Sequence, residues 1–172
     1  MNTVKVRTVV EADLSALSRI DRQIFGRLAY PEFVLRQLFD VHQQEILVAD
    51  EAGELLGYSI AVRSGSDAET DLAHFLALGV DGSRRCQGVG RLLALETLES
   101  LYLRGVQRVR LAVARDNPVA IHLYRSLGFE QTADVDSYYG ADEPRLLFEL
   151  NLDRNPQVDA DTVRHVPRSA TH

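Results

Sequence analysis

Apolar positions change period several times along this chain, and each change marks an element. Val4, Val6, Val9 and Val10 are interleaved with Lys5, Arg7 and Thr8, the two-residue alternation of a half-buried strand that ends at Glu11. Leu14, Leu17, Ile20, Ile24 and Phe25 then recur at helical spacing, with Asp13 placed to cap the helix and Gly26 to end it. Tyr30-Pro31 interrupts that pattern, after which Phe33, Val34, Leu38 and Val41 predict a second helix with Pro31 in its first turn. Ile46–Ala49 and Leu55–Val62 are strand-like runs joined by polar Asp50–Glu54, a hairpin.

The second half alternates strand and helix. A long apolar strand is predicted over Ala68–Val80, followed by a helix carrying Leu92, Leu93, Leu95, Leu98 and Leu101 that stops at Gly105. Val109, Leu111 and Val113 alternate with Arg108, Arg110 and Ala112 as a strand. Asn117-Pro118 opens a helix bearing Ile121, Leu123, Tyr124 and Leu127, closed by Gly128. Phe129–Val135 and Leu146–Leu152 are the last strands, around a loop from Ser137 to Pro144. The order β-α-α-β-β-β-α-β-α-β-β makes this an α/β (α+β) domain over residues 1–152. Hairpin-linked strands pair antiparallel, while the strand–helix–strand units at Gly90 and Asn117 predict neighbouring parallel strands. A mixed, mostly antiparallel sheet of six to seven strands with helices on both faces follows. Residues 153–172 lack an apolar period and predict a mobile C-terminal tail.

Composition narrows the class. At 172 residues the chain suits one core. Its 19 Lys and Arg against 25 Asp and Glu leave a charge of −6, which argues against a broad nucleic-acid surface and suits an amine partner. Cys86 is the sole cysteine, so no intramolecular disulfide or cysteine-based zinc cluster is expected, and a reducing cytoplasm is favoured. No histidine pair has ligand-like spacing with a carboxylate, so no metal is expected. A membrane span is not expected either, since no run approaches the roughly 18 apolar residues it would need.

The chemistry starts at the strand-to-helix turn Val80-Asp81-Gly82-Ser83-Arg84-Arg85-Cys86-Gln87-Gly88-Val89-Gly90-Arg91. Gly88 and Gly90 let backbone come close to a ligand, and the first helical amides point outward at a natural anion site. Arg85 and Arg91 can add charge-assisted contacts to phosphate. A purely steric use of glycine in such a turn is the competing reading. The dinucleotide fingerprint and the Walker loop do not fit, because no glycine stands two residues before Gly88 and no Gly-Lys-Ser/Thr occurs here.

Arg85-x-x-Gly88-x-Gly90, followed by Asn117-x-x-Ala120-x-x-Leu123-Tyr124-x-x-x-Gly128-Phe129, resembles the GNAT acetyltransferase superfamily. Its motifs are most similar to the RimI-like enzymes that acetylate ribosomal-protein N-termini. The resemblance spans residues 3 to 152 and implies acetyl-coenzyme A as cofactor. It further implies that Arg85, Cys86, Gln87, Gly88, Val89, Gly90 and Arg91 hold the pyrophosphate. Leu78, Gly79 and Val80 would pair with the pantetheine amides as an added strand, and Asn117 would contact the same arm. Tyr124 takes the place of the phenol that protonates the departing thiolate, a role suited to a group with an unperturbed pKa of about 10. The competing reading is a packed tyrosine whose hydroxyl is bonded to backbone.

His74 falls where several relatives carry a base that relays the amine's proton, and imidazole chemistry suits that task near neutral pH. Ala112 stands where the N-terminal acetyltransferases carry a glutamate or histidine base, which shifts the burden to His74 or to solvent. Tyr138 and Tyr139 match a substrate-clamping pair in those relatives. There an acidic-alanine pair follows, whereas this chain has Glu143-Pro144-Arg145. Phe25 and Tyr30 would wall the other side of the acceptor site. Three functions stay open: acetylation of a peptide or protein amine, acetylation of a small-molecule amine, and a non-catalytic module that binds acetyl-coenzyme A. A homodimer is compatible with each.

Overall fold

The computed structural model describes residues 3–157. Within them the chain runs β1 (Lys5–Thr8), α1 (Leu14–Phe25), α2 (Glu32–His42), β2 (Ile46–Glu51), β3 (Glu54–Arg63), β4 (Leu72–Val80), α3 (Val89–Leu103), β5 (Arg108–Val113), α4 (Pro118–Ser126), β6 (Glu130–Val135) and β7 (Arg145–Asn151). This is the α/β order expected. The seven strands form one sheet in the order β1-β2-β3-β4-β5-β7-β6, antiparallel except between β4 and β5. No described helix is long and apolar enough to cross a membrane.

Three details depart from expectation. The strand predicted from Ala68 starts at Leu72, because the polar residues before it fold into turns whose Glu69 and Asp71 pair with Arg110 and Arg108. The crossover through α4 does not place β6 beside β5: β7 inserts between them, antiparallel to both. Past the predicted boundary at 152, Asn155 is buried with its amide donating to Leu127 O (2.9 Å), while residues 153, 154, 156 and 157 are exposed. The rest of the predicted tail, 158–172, lies outside the described residues.

Asp13, expected as a helix cap, serves the first corner differently. Its carboxylate accepts from the Val10 amide (2.8 Å) and from Arg7, which also reaches Asp50, so β1, α1 and β2 are tied together.

Two cores sandwich the sheet. Ala73, Phe75, Leu98, Leu111, Leu127 and Phe148 pack on the side of α3 and α4. Leu17, Ile20, Leu35, Tyr58, Ile60 and Ala77 pack on the side of α1 and α2. Phe75 and Ala77 therefore face opposite ways although they are two residues apart. The cause is an extra residue in β4, since Ile60 opposes Ala77 and Ala61 opposes Phe75, leaving Leu76 as a bulge. The β4–β5 pairing stops at Phe75–Leu111, just as the bulge begins. Beyond that point the two strands part, and a cleft opens between them.

Candidate active site

The anion turn is built at the end of β4. Asp81 organises its start: the carboxylate accepts from the Ser83 amide (3.0 Å), the Ser83 hydroxyl (2.7 Å) and Arg19 (2.9 Å). The Arg19 guanidinium, followed by Ser83, lowers the Asp81 pKa to about 2. Gly88 precedes α3 with φ +81°, a left-handed backbone that favours glycine. The first bond in that helix runs from Leu92 N–H to Gly88 O, so the amides of Val89, Gly90 and Arg91 have no helical acceptor. A side chain at Gly90 would stand between Val80 and Leu123, narrowing the approach.

Side chains in this turn divide. Arg85 is exposed and has no partner among the described residues. Arg84 turns away to Glu51 and Glu54. Gln87 donates to Ser83 O, and Cys86 is exposed at φ +60°. Arg91, expected on phosphate, instead directs its guanidinium to Ser126 Oγ (2.9 Å) and Gln157 Oε1 (2.8 Å), so its backbone amide is what remains in the turn.

A cleft of about 1160 Å³ opens between the parted strands, reaching toward the turn as far as Leu78 on β4. Leu76, Ala77 and Leu78 line one wall, and Ala112 to Asn117 the other. Because β5 leaves β4 at Phe75, the β4 edge through Leu78, Gly79 and Val80 has no partner strand on that side, the geometry that admits an extended ligand as an added strand. Gly79 is obligatory for a different reason: a Cβ there would lie 2.6 Å from Cε1 of the fully buried Tyr58. Asn117 caps α4 by accepting from the Ala120 amide (3.1 Å), leaving its own amide group to the cleft that it lines.

Tyr124 lies at the back of this space, 8% exposed and edge-on to Phe75 and Phe129. Its hydroxyl has no hydrogen-bond partner among the described residues, so the reading of a tyrosine satisfied by backbone finds no such bond. Burial pushes its pKa well above 10, which keeps the phenol protonated.

His74 sits elsewhere. It is half-buried, paired across the sheet with Val62 and Arg110, and its register puts it on the side of α1 and α2, below the bulge. It is not part of the cleft lining, where Leu76 and Ala112 stand instead. The bulge at Leu76 stands between His74 and the opening, so any relay of the amine's proton to it runs through water.

Phe25, Tyr30 and Tyr139 line the mouth of the cleft; Tyr138 packs edge-on against Tyr139 at 4.9 Å without lining it. Tyr30 is held by its amide, which donates to Asp21 Oδ2 (2.6 Å), while the Tyr58 hydroxyl donates to Asp21 Oδ1. Asp21 is fully buried with no cation beside it, and burial raises its pKa. Reading the sequence missed this residue, although its place in the 14-17-21-24 stripe of α1 was a signal, a carboxylate on an apolar face. Arg27 and Arg145, both bonded to Glu143, were missed as site residues too. Glu143 and Arg145 had shown only as a departure from the resembled pattern.

Comparisons agree with this geometry. The Acetyltransferase (GNAT) family profile matches residues 14–129. A mycothiol acetyltransferase of Kytococcus sedentarius is 46% identical over 119 residues, 67% of this chain and 38% of that protein. The chain spans roughly a quarter to two fifths of the mycothiol acetyltransferases it matches. The N-alpha-acetyltransferase RimI of Mycobacterium tuberculosis is 31% identical over 144 residues, covering 81% of this chain and 88% of the relative. In fold, the chain is similar to yncA, described as a putative acetyltransferase from Salmonella typhimurium with its cofactor acetyl-CoA, at TM-score 0.77 and 20% identity over 92% of this chain and 99% of that one. A profile match across most of the chain, laid over an anion turn and a cleft between parted strands, makes this protein a member of the GNAT acetyltransferase family.

Proposed function

We propose that this chain moves an acetyl group from acetyl-coenzyme A to a primary amine by direct attack within a ternary complex, with a peptide or protein amine, N-terminal or lysine, as acceptor, in the cytoplasm. The observation that carries the reading is the unpartnered Tyr124 hydroxyl in the cleft beside the open edge of β4, the strand that ends in the anion turn. The free amides of Val89, Gly90 and Arg91, with exposed Arg85, would hold the pyrophosphate, and the open edge of β4 would hold the pantetheine arm. Bound there, acetyl-coenzyme A supplies an activated thioester.

The residues of the chain then divide the work. Tyr124 keeps a proton on its phenol oxygen and delivers it to the leaving sulfur. Tyr30 and Tyr139 flank the incoming amine, and the apolar wall of Leu76, Ala77 and Ala112 limits water around the reacting carbon. No basic side chain lines the wall at Ala112, so the amine's proton leaves to water in the open mouth, and His74 receives it only through water. A second reading, a small-molecule amine as acceptor, is favoured by the stretch 46% identical to a mycothiol acetyltransferase.

The test is thiol release from acetyl-coenzyme A with a panel of peptides and small amines. Turnover with peptides above small amines is the expected result; the reverse order supports the second reading. Binding of coenzyme A without turnover of any amine would overturn both in favour of a non-catalytic module.

A further inference from the structure

Arg145 opens β7 at the acceptor end of the cleft. Its register places it on the same side of the sheet as Leu147 and Glu149, the side of α1 and α2, and it lines the cleft. The side chain is only 9% exposed. Its Nη1 commits both hydrogens, one to Glu143 Oε2 (3.1 Å) and one to Pro144 O (2.7 Å). The guanidinium lies over the Tyr139 ring, 4.8 Å from its centroid, which fixes its plane. A guanidinium carries five N–H donors. Nε and Nη2 carry the other three hydrogens, two of them parallel on the Nε/Nη2 edge, and these have no acceptor among the described residues.

Charge points the same way. Glu143 is the counterion of Arg145, but its other oxygen is taken by Arg27 from across the mouth. Arg27 is largely exposed and screened by solvent, whereas Arg145 is nearly buried and shares its one bonded carboxylate with it, so the Arg145 charge is only partly compensated at its own place in the lining. With both oxygens of Glu143 occupied, an acceptor's ammonium finds no free carboxylate there. Asp142 and Asp116 also line the cleft, but both are exposed to solvent. Arg115, the remaining cation of the lining, is matched by Asp134 and Asp136.

We propose that the acceptor carries a carboxylate close to its reacting amine, and that the free Nε/Nη2 edge of Arg145 receives it as a two-point contact. The planar fork of a guanidinium matches a carboxylate in spacing as well as in charge. Glu143-Pro144-Arg145 departs from the acidic-alanine pair of the resembled pattern, so the preference belongs to this chain's own side chain. The inference rests on the cleft being an acceptor site for a primary amine.

Four hexapeptides of otherwise identical sequence with amidated C-termini, beginning Ala-Asp, Ala-Asn, Asp-Ala and Asn-Ala, together with glycine and glycinamide, test it on the full chain with saturating acetyl-coenzyme A. In the unmodified protein, kcat/KM for the acidic member of at least one pair exceeds that of its amide by about tenfold or more, and added salt reduces the ratio. Arg145→Met brings the ratio to about one, and Arg145→Lys, which keeps charge but not the fork, leaves it in between. The ratio in the unmodified protein decides even if Arg145→Met does not fold. Equal kcat/KM within every pair overturns the proposal and leaves acetyl transfer standing; no turnover of any of the six overturns both.

Discussion

At the end of the cleft assigned to acetyl-coenzyme A, the groups that face a ligand are backbone amides and an open strand edge. At the acceptor end they are side chains, and the bridge between Arg27 and Glu143 joins residues 116 positions apart. The first end is set by local geometry: Gly88 at positive φ, the start of α3, and the bulge that separates β4 from β5. The second depends on two distant loops meeting, one after α1 and one between β6 and β7. A backbone site tolerates wide variation in side chains, while a side-chain site changes its chemistry with one substitution. One scaffold can therefore keep its donor and change its acceptor, and the proposed role of Arg145 is a change of this kind.

That contrast can be broken most severely at Gly79. Gly79→Ala drives a Cβ to 2.6 Å from a buried Tyr58 ring that has nowhere to move. The expected loss is about 1–3 kcal/mol of stability, read as a fall in Tm, with a raised KM for acetyl-coenzyme A in the folded fraction. An unchanged Tm would mean that β4 is not wedged against Tyr58.

Next in size is Tyr139→Ala, which removes the ring beneath Arg145 and one wall of the mouth. It should raise KM for the acceptor by roughly tenfold and leave KM for acetyl-coenzyme A unchanged, since an aromatic contact of this kind contributes about 1 kcal/mol. Equal changes in both constants would show that the two ends are not separable.

The smallest effect is one of pH, and its sign differs between the ends. Asp81 has its pKa lowered from 3.8 to about 2, so its contribution is present above 3.8 and is lost as pH falls through about 2. Asp21 has its pKa raised by burial, so its charged form is the costly one and protonation relieves it. Falling pH should therefore make the unmodified protein lose Tm relative to Asp81→Asn between pH 3.8 and about 2. Above that window it should gain relative to Asp21→Asn. Thermal scans across pH 2 to 7 check both, and parallel trends would contradict the opposed shifts.

The regular elements were legible in the sequence because each rests on local period and punctuation. The α3 and α4 patterns, with Gly88, Asn117 and Pro118 at their starts, are cases where neighbours in sequence set the geometry. What needed the fold was long-range. The insertion of β7 between β5 and β6 follows from hydrogen bonding across the sheet, which alternation in a single strand does not encode. The bulge at Leu76 is a register shift against β3, and it decides that Phe75 and Ala77 face opposite cores and that His74 stays below the opening. Arg91 read as a phosphate ligand from its place in the turn, yet Gln157, 66 residues away, claims its guanidinium. The family motif lies at the donor end. It could say little of the acceptor end, where Arg27, Glu143 and Arg145 meet only in three dimensions.

The central claim is that the buried phenol in the cleft protonates the leaving thiolate, and kcat of Tyr124→Phe at saturating acetyl-coenzyme A and amine tests it most directly. Phenylalanine keeps the packing against Phe75 and Phe129 and removes only the hydroxyl. The account predicts a fall in kcat of about 10²-fold or more with both KM values little changed. A kcat equal to that of the unmodified protein would contradict it.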